Sequence, residues 1–163
     1  MAMSIFTDLV RGAVAGGAAT WVMDTITTGV LARYPQQLVE REDKGRPNGK
    51  PAIENAIDSL EARLGTALDD RQRGLVTQAI HFGLGVGPGA AYGLLRRRVP
   101  LVGAARGLVY GATLWLVNDE YLNTRLGFAG PFDAYPIETH VRGFIGHTTL
   151  GAATDLFIDL LGG

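Results

Sequence analysis

Four long apolar stretches alternate with polar connections along this chain of 163 residues. They lie at about 9–31, 73–95, 101–122 and 140–161. At a rise of 1.5 Å per residue, a helix of that length crosses an apolar layer roughly 30 Å thick. The second stretch holds 22 consecutive residues without Asp, Glu, Lys or Arg. The pattern predicts four transmembrane helices.

The first connection, 33–72, is hydrophilic and divides into two parts. Its centre, "EREDKGRPNGKP", combines turn residues with mixed charge and predicts a solvated loop. The following segment, "PAIENAIDSLEARLG", places four apolar residues on one helical face: Ile53, Ile57, Leu60 and Leu64. Pro51 suits the start of this amphipathic helix and Gly65 its end. We expect it either to lie on the membrane surface or to cover the end of the bundle.

These elements predict an all-α fold, an integral membrane four-helix bundle with one short amphipathic surface helix in the first loop. Residues 1–163 form a single transmembrane domain. The composition agrees, since the chain has 23 glycines. An interior glycine costs roughly 1 kcal/mol relative to alanine in an aqueous helix, whereas between membrane helices it allows close approach. We therefore expect glycine-rich helix packing within a lipid bilayer.

Charge and composition narrow the function classes. The net charge of −1 gives no indication of a nucleic-acid partner. The absence of cysteine excludes disulfides and thiolate metal sites. Serine occurs only at Ser4 and Ser59, and no nucleophile–base arrangement is evident, so we do not expect an enzyme. The arginines of the short connection at 96–98 favour the cytoplasm, which places both termini there.

An Arg-Gly dipeptide occurs near the start of every apolar stretch and nowhere else, at 11–12, 73–74, 106–107 and 142–143. In three stretches an aspartate follows thirteen residues later: "RGAVAGGAATWVMD", "RGLVYGATLWLVND" and "RGFIGHTTLGAATD". Thirteen helical residues rise about 19.5 Å. In antiparallel neighbours, an arginine that begins one helix therefore lies near the depth of an aspartate that ends the next.

This geometry predicts structural ion pairs at two levels of the bundle. Arg11 and Arg106 should lie near Asp155. Arg142, together with Arg73, should lie toward the side that holds Asp24 and Asp119. Because a buried charge in lipid is costly unless it is paired, these contacts are expected to join the helices.

Two histidines fall near the second level. His81 and His147 lie on parallel helices at similar depths, in the half that holds Asp24 and Asp119. We predict that these four residues form an intramembrane polar cluster. Each histidine can simply hydrogen-bond to a neighbouring helix, or the cluster can handle protons or ions. A haem b or a metal ion at His81 and His147 is a minor alternative to the expectation of no cofactor.

The segments "YPIETHVRGFIGHTTLGAATD" and "RGAVAGGAATWVMD" resemble the YagU-like group of small bacterial inner-membrane proteins. The similarity consists of the Gly/Ala-rich first helix that ends in Asp24 and of the run Thr139-His140, Arg142-Gly143 and His147. The resemblance implies a multi-pass protein of the bacterial inner membrane, with a link to acid tolerance. This chain departs from the group in its long charged first loop.

The expected function is that of a non-catalytic accessory subunit or scaffold. Its glycine-rich helix faces would pack against copies of itself, as a homo-oligomer, or against a larger membrane complex. The alternative is a small proton or ion channel or transporter that uses the intramembrane histidines and aspartates. A haem- or metal-binding membrane subunit is the minor alternative.

Overall fold

The computed structural model describes residues 5–163, which fold into six helices without any strand, and short 3-10 turns lie in three of the five connections. The helices are α1 (Ile5–Leu31), α2 (Gln36–Gly45), α3 (Ala52–Leu64), α4 (Asp70–Leu95), α5 and α6 (Ile137–Leu160). α5 consists of an α-helix over Leu108–Leu114, a π-helix over Trp115–Leu122 and a last turn over Asn123–Arg125. The prediction of an all-α fold is confirmed, and the four apolar stretches correspond to α1, α4, α5 and α6.

The predicted amphipathic helix is α3. Pro51 precedes its first turn, and Gly65 ends it in the left-handed conformation, with φ of 64°. Ile57 is fully buried, whereas Leu60 and Leu64 are exposed. α3 packs on α4, so this helix lies against the bundle.

Residues 36–45 form a helix, α2, whose second half falls within the stretch 40–51 that the sequence pattern predicts to be a solvated loop. Pro35 precedes its first turn. Hydrogen bonds between side chains four residues apart then stabilise α2, because Gln36 donates to Glu40 and Arg46 donates to Glu42. The prediction was wrong here because a charge-rich segment was taken to be solvated, whereas Glu42 is only 3% exposed.

α5 begins at Leu108 rather than at residue 101. Ala105, Arg106 and Gly107 have φ of 52°, 51° and 82°. Such left-handed backbone cannot continue a right-handed helix. Arg106 therefore lies in a turn, with 87% of its side chain exposed, and not within a helix as predicted.

Glycine allows the closest helix contacts of the bundle. α1 lies between α4 and α6, and α5 packs on α6. The glycines at which a Cβ would overlap the facing segment are Gly12, Gly16, Gly85, Gly89 and Gly93 between α1 and α4, and Gly107, Gly111 and Gly151 where α5 and its preceding turn meet α6. These glycine-rich faces are therefore occupied within the chain.

Large apolar side chains lie mainly on the outside of the long helices. Among residues 5–163 the buried hydrophobic residues are Ala15, Ala19, Ile57, Tyr92, Leu150 and Ile158. Exposed ones include Phe6, Val14 and Trp21 on α1, Leu75 and Leu84 on α4, Leu116 and Val117 on α5, and Val141, Phe144 and Leu156 on α6. None of the helices in this part of the chain combines the length and mean apolar character required of a candidate membrane span. The membrane bundle stays a prediction.

Candidate functional site

A cavity of about 700 Å³ lies between α1, α4, α5 and α6. Residues of α3 and of the loop after α5 also line it, at the end of the bundle where α6 begins. Its wall carries these charged and histidine residues: Glu42, Arg46, Glu54, His81, Asp119, Glu120, His140, Arg142 and His147. The cavity is therefore where titratable groups from five helices, α2 to α6, meet.

His81 of α4 is hydrogen-bonded to Asp24 of α1. Its Nε2 lies 3.0 Å and 2.9 Å from the two carboxylate oxygens. Because an ionised carboxylate only accepts hydrogen bonds, Nε2–H is the donor. In the neutral imidazole Nδ1 is then the nitrogen that can take up a proton. Both residues belong to the predicted polar cluster.

His147 of α6 and Asp119 of α5, the other two residues of the predicted cluster, lie close to each other. Nδ1 of His147 lies 3.0 Å from the Gly143 carbonyl oxygen and 3.4 Å from Oδ2 of Asp119. Nδ1–H therefore donates to the carbonyl, with the carboxylate as a weaker second acceptor. The other Asp119 oxygen accepts a hydrogen bond of 2.9 Å from the Asn118 amide.

The predicted polar cluster is thus resolved into two pairs, each across a different helix interface. His81, Asp119 and His147 line the cavity, and Asp24 holds His81 from α1. Within residues 5–163, no three histidine or carboxylate side chains converge in a geometry that would hold a metal ion.

His140 forms a third such pair, which the sequence analysis did not predict. Its Nδ1 lies 2.7 Å from Glu120, and its Nε2 lies 3.0 Å from the Phe132 carbonyl oxygen. The imidazole also stacks on the Phe132 ring, with centroids 3.9 Å apart. The π-helical stretch of α5 brings Glu120 and its neighbour Asp119 to the cavity wall.

Arg142 pairs with Glu42 of α2, not with Asp24 or Asp119 as predicted. Its Nη2 lies 2.8 Å from the Glu42 carboxylate, which also accepts from Thr139 at 2.9 Å and from Arg46 at 2.8 Å. The partner was missed because α2 was expected to be a loop.

The environment of Glu42 changes its acidity. Burial by itself raises the pKa of this carboxyl. The hydrogen bond and positive charge of Arg142, together with the bonds from Thr139 and Arg46, outweigh burial and hold the pKa of Glu42 below its ordinary value. Glu42 is therefore an ionised anchor between α2 and α6.

Arg73 also pairs with residues other than Asp24 and Asp119, which lie at its predicted level. It binds Glu61 and lies 2.6 Å from Asp58, and both partners belong to α3. Lys50 lies 2.6 Å from the same Asp58. The hydrogen bond from Lys50, with that from Arg73, holds the pKa of Asp58 below its usual range. The arginine that begins α4 thus fastens α3 to the bundle.

The other end of the bundle carries a second polar group of residues. Asp155 is bound by Arg96 at 2.7 Å and by the Tyr92 hydroxyl at 2.6 Å. Arg96 also binds Asp159 at 2.8 Å. The predicted partner Arg106 lies instead 3.9 Å from Asp159.

Arg11, the other predicted partner of Asp155, lies at this end as well, with its guanidinium beside Gly162. Arg11, Arg106 and Asp155 thus lie at the same end of the bundle. The left-handed turn before α5 directs Arg106 outward, and Arg96, in the connection after α4, occupies the position beside Asp155.

No family model, curated protein or solved structure matches this chain. The resemblance to the YagU-like group therefore rests on the quoted motifs alone.

Proposed function

We propose that this chain is a small, non-catalytic membrane protein that takes up protons or ions in the cavity between its long helices. One observation carries this proposal: all three histidines of the chain contact a carboxylate, and all three line the same cavity. Imidazole exchanges a proton between about pH 5 and 8, and intramembrane histidine and carboxylate groups commonly mark proton pathways.

The outer surface supports the membrane part of the proposal. Large apolar side chains are exposed on all four long helices, whereas small residues fill the helix contacts. Extensive exposed apolar surface marks contact with a membrane or a protein, and small residues at helix contacts are typical of membrane bundles. The connection with Arg96, Arg97 and Arg98 lies at the end where α6 ends, so the positive-inside tendency favours cytoplasmic termini in a bacterial inner membrane.

A second candidate is the accessory subunit or scaffold. The glycine-rich faces are already packed within the chain, so a partner or a second copy would contact the exposed apolar faces. Val141, Phe144 and Ile145 of α6 are exposed in this way. These side chains fit a neighbouring membrane helix as well as lipid.

Proton flux into proteoliposomes tests the first candidate. Vesicles with an internal pH-sensitive dye and an imposed potassium diffusion potential should acidify faster with the protein than without it. His147→Gln, which keeps the size of the side chain but cannot carry the proton, should reduce the flux toward the protein-free leak. Asp133→Asn, at an exposed position outside the cavity wall, is the matched control and should leave the flux unchanged.

Flux equal to the leak for the unaltered protein would contradict proton handling. If a partner then co-purifies in a fixed ratio, and Phe144→Ser releases it while the bundle stays folded, the accessory-subunit function is favoured. Equal flux in the unaltered protein and in His147→Gln would show that the His147 pair takes no part.

A further inference from the structure

The cavity wall has an excess of negative charge. Four carboxylates line it, from Glu42, Glu54, Asp119 and Glu120, against the two guanidinium groups of Arg46 and Arg142. His81, His140 and His147 also face the cavity, and they carry no charge when deprotonated. With neutral imidazoles, the wall therefore favours a cationic occupant.

The two arginines of the wall bind the same wall carboxylate. Arg46 and Arg142 both bind Glu42, each at 2.8 Å. Neither guanidinium is paired with another lining carboxylate. The remaining negative charge of the wall is thus left to be balanced by histidines or by an occupant.

Of the two neighbouring wall carboxylates on α5, Asp119 has less compensating positive charge and is more exposed than Glu120. Its donors are the neutral Asn118 amide at 2.9 Å and His147 at 3.4 Å, whose Nδ1–H is nearer to the Gly143 carbonyl oxygen. Glu120, by comparison, lies 2.7 Å from His140. About a third of the Asp119 side chain is exposed (32%), against 15% for Glu120.

The rest of the wall suits an apolar body. Aliphatic and aromatic side chains from three helices and the loop after α5 line it: Ile80, Leu84, Leu114, Trp115, Phe128 and Leu150. A volume of about 700 Å³ lies within the range of cavities that hold small organic molecules. Aromatic rings in the same wall further favour a cation, because the ring face is electron-rich.

We propose that this cavity binds a lipophilic organic cation, with the Asp119 carboxylate as its counter-ion. This inference rests on the cavity being the functional site, as proposed above, and it names the class of ligand. The cation replaces the missing positive charge next to Asp119, while its apolar groups occupy the space between α4, α5 and α6.

Equilibrium dialysis of the full chain in micelles of an uncharged detergent tests the proposal with two probes. Tetraphenylphosphonium is a permanent lipophilic cation, and tetraphenylborate is an anion of nearly the same size and shape. We expect saturable binding of one cation per chain above the uptake by empty micelles, and no saturable binding of the anion. The comparison requires no mutation.

Substitution then assigns the counter-ion. Asp119→Asn keeps the shape of the side chain and should weaken binding of the cation about tenfold, which corresponds to about 1.4 kcal/mol. Asp133→Asn removes an exposed carboxylate outside the wall and should not change it. Circular dichroism and the melting temperature verify that both variants are folded.

Three results would overturn the ligand class: uptake of the cation no greater than by empty micelles, equal binding of both ions, or unchanged affinity in a folded Asp119→Asn variant. Proton flux is measured separately in liposomes. Flux without binding of the cation rejects this inference and keeps the proposed function. Binding of the cation without flux rejects proton handling and keeps the cavity as a cation site.

Discussion

Arg142 of α6 and Glu42 of α2 form an ion pair of 2.8 Å although they lie 100 residues apart in the chain. Both side chains are mostly buried, with 15% and 4% exposed. The Arg142 guanidinium also lies over the ring of Tyr34, 5.5 Å from its centroid. Removing one partner of such a buried pair leaves the other charge buried and uncompensated, which costs free energy of folding. The pair therefore fastens α2 to the start of α6.

Glu42 makes the stability of the contact between α2 and α6 dependent on pH. The folded-state pKa of Glu42 is lowered from the ordinary value of 4.5. Its contribution to stability is therefore fully present above that value and is lost as the pH falls through the lower, folded-state pKa. Glu42→Gln should lower the free energy of unfolding near neutral pH by about 3 kcal/mol. It should also flatten the acid side of the profile of melting temperature against pH.

Glu40→Gln is the matched control for that measurement, because Glu40 lies on the same helix but is exposed. It should change the melting temperature little at any pH. An equal fall in melting temperature at acid pH in both variants would show that Glu42 is not the group that makes stability depend on pH.

Among the arginines at the opposite end of the bundle, Arg96 should contribute most to stability. Only 7% of its side chain is exposed, and it holds both Asp155 and Asp159. Arg96→Gln leaves the Asp155 carboxylate buried with the Tyr92 hydroxyl as its remaining donor, so we expect a loss of about 3 kcal/mol. Thermal unfolding followed by circular dichroism measures it. The exposed Arg97→Gln provides the comparison; equal melting of the two variants would refute the importance of the buried pair.

Glycine substitutions separate helix packing from helix propensity. A Cβ at Gly16 would overlap the Gly85 carbonyl oxygen, so Gly16→Ala should force α1 and α4 apart and cost roughly 1–3 kcal/mol. Gly74 is also helical, but nothing lies within 4 Å of a Cβ there. Gly74→Ala should therefore be neutral or stabilising by up to about 1 kcal/mol. Similar melting temperatures for both variants would mean that the close approach of α1 and α4 is wrong.

The absence of cysteine allows a direct test of the surface exposed to lipid. Val14 of α1 is 57% exposed on an apolar face. In membrane vesicles, Val14→Cys should resist a water-soluble maleimide until the bilayer is dissolved and the protein unfolded, because lipid covers it. Glu40→Cys, at an exposed position of α2, should react at once in vesicles open on both sides. Rapid labelling of Val14→Cys in intact membranes would argue against a position in the bilayer.

The local pattern of the sequence was sufficient to locate most helices. Apolar stretches of the right length identified α1, α4, α5 and α6, and Pro51 with Gly65 marked the ends of α3. The depth argument also predicted that His81, His147, Asp24 and Asp119 lie at one level, but it did not say which histidine contacts which aspartate. Helix rise is nearly constant, so distances along a helix can be calculated from residue numbers alone.

The partners of the arginines could not be obtained in that way. A guanidinium at a known depth can still face any of several neighbours, because its direction depends on the rotation of the helix and on the path of the chain. Arg106 is directed outward by left-handed backbone at residues 105–107, where Gly107 lies against Gly151 with no room for a Cβ. That backbone results from packing between α5 and α6, which no local pattern reports.

The sequence by itself determined the all-helical class, the long apolar stretches and the heights at which their polar residues lie, because these follow from hydropathy and from a fixed rise per residue. Tertiary structure alone decided that a charge-rich segment folds as α2, that its Glu42 binds Arg142, and that three histidine–carboxylate pairs enclose one cavity. Those features depend on which faces meet after the helices have packed, and that choice is made by contacts between residues far apart in the chain.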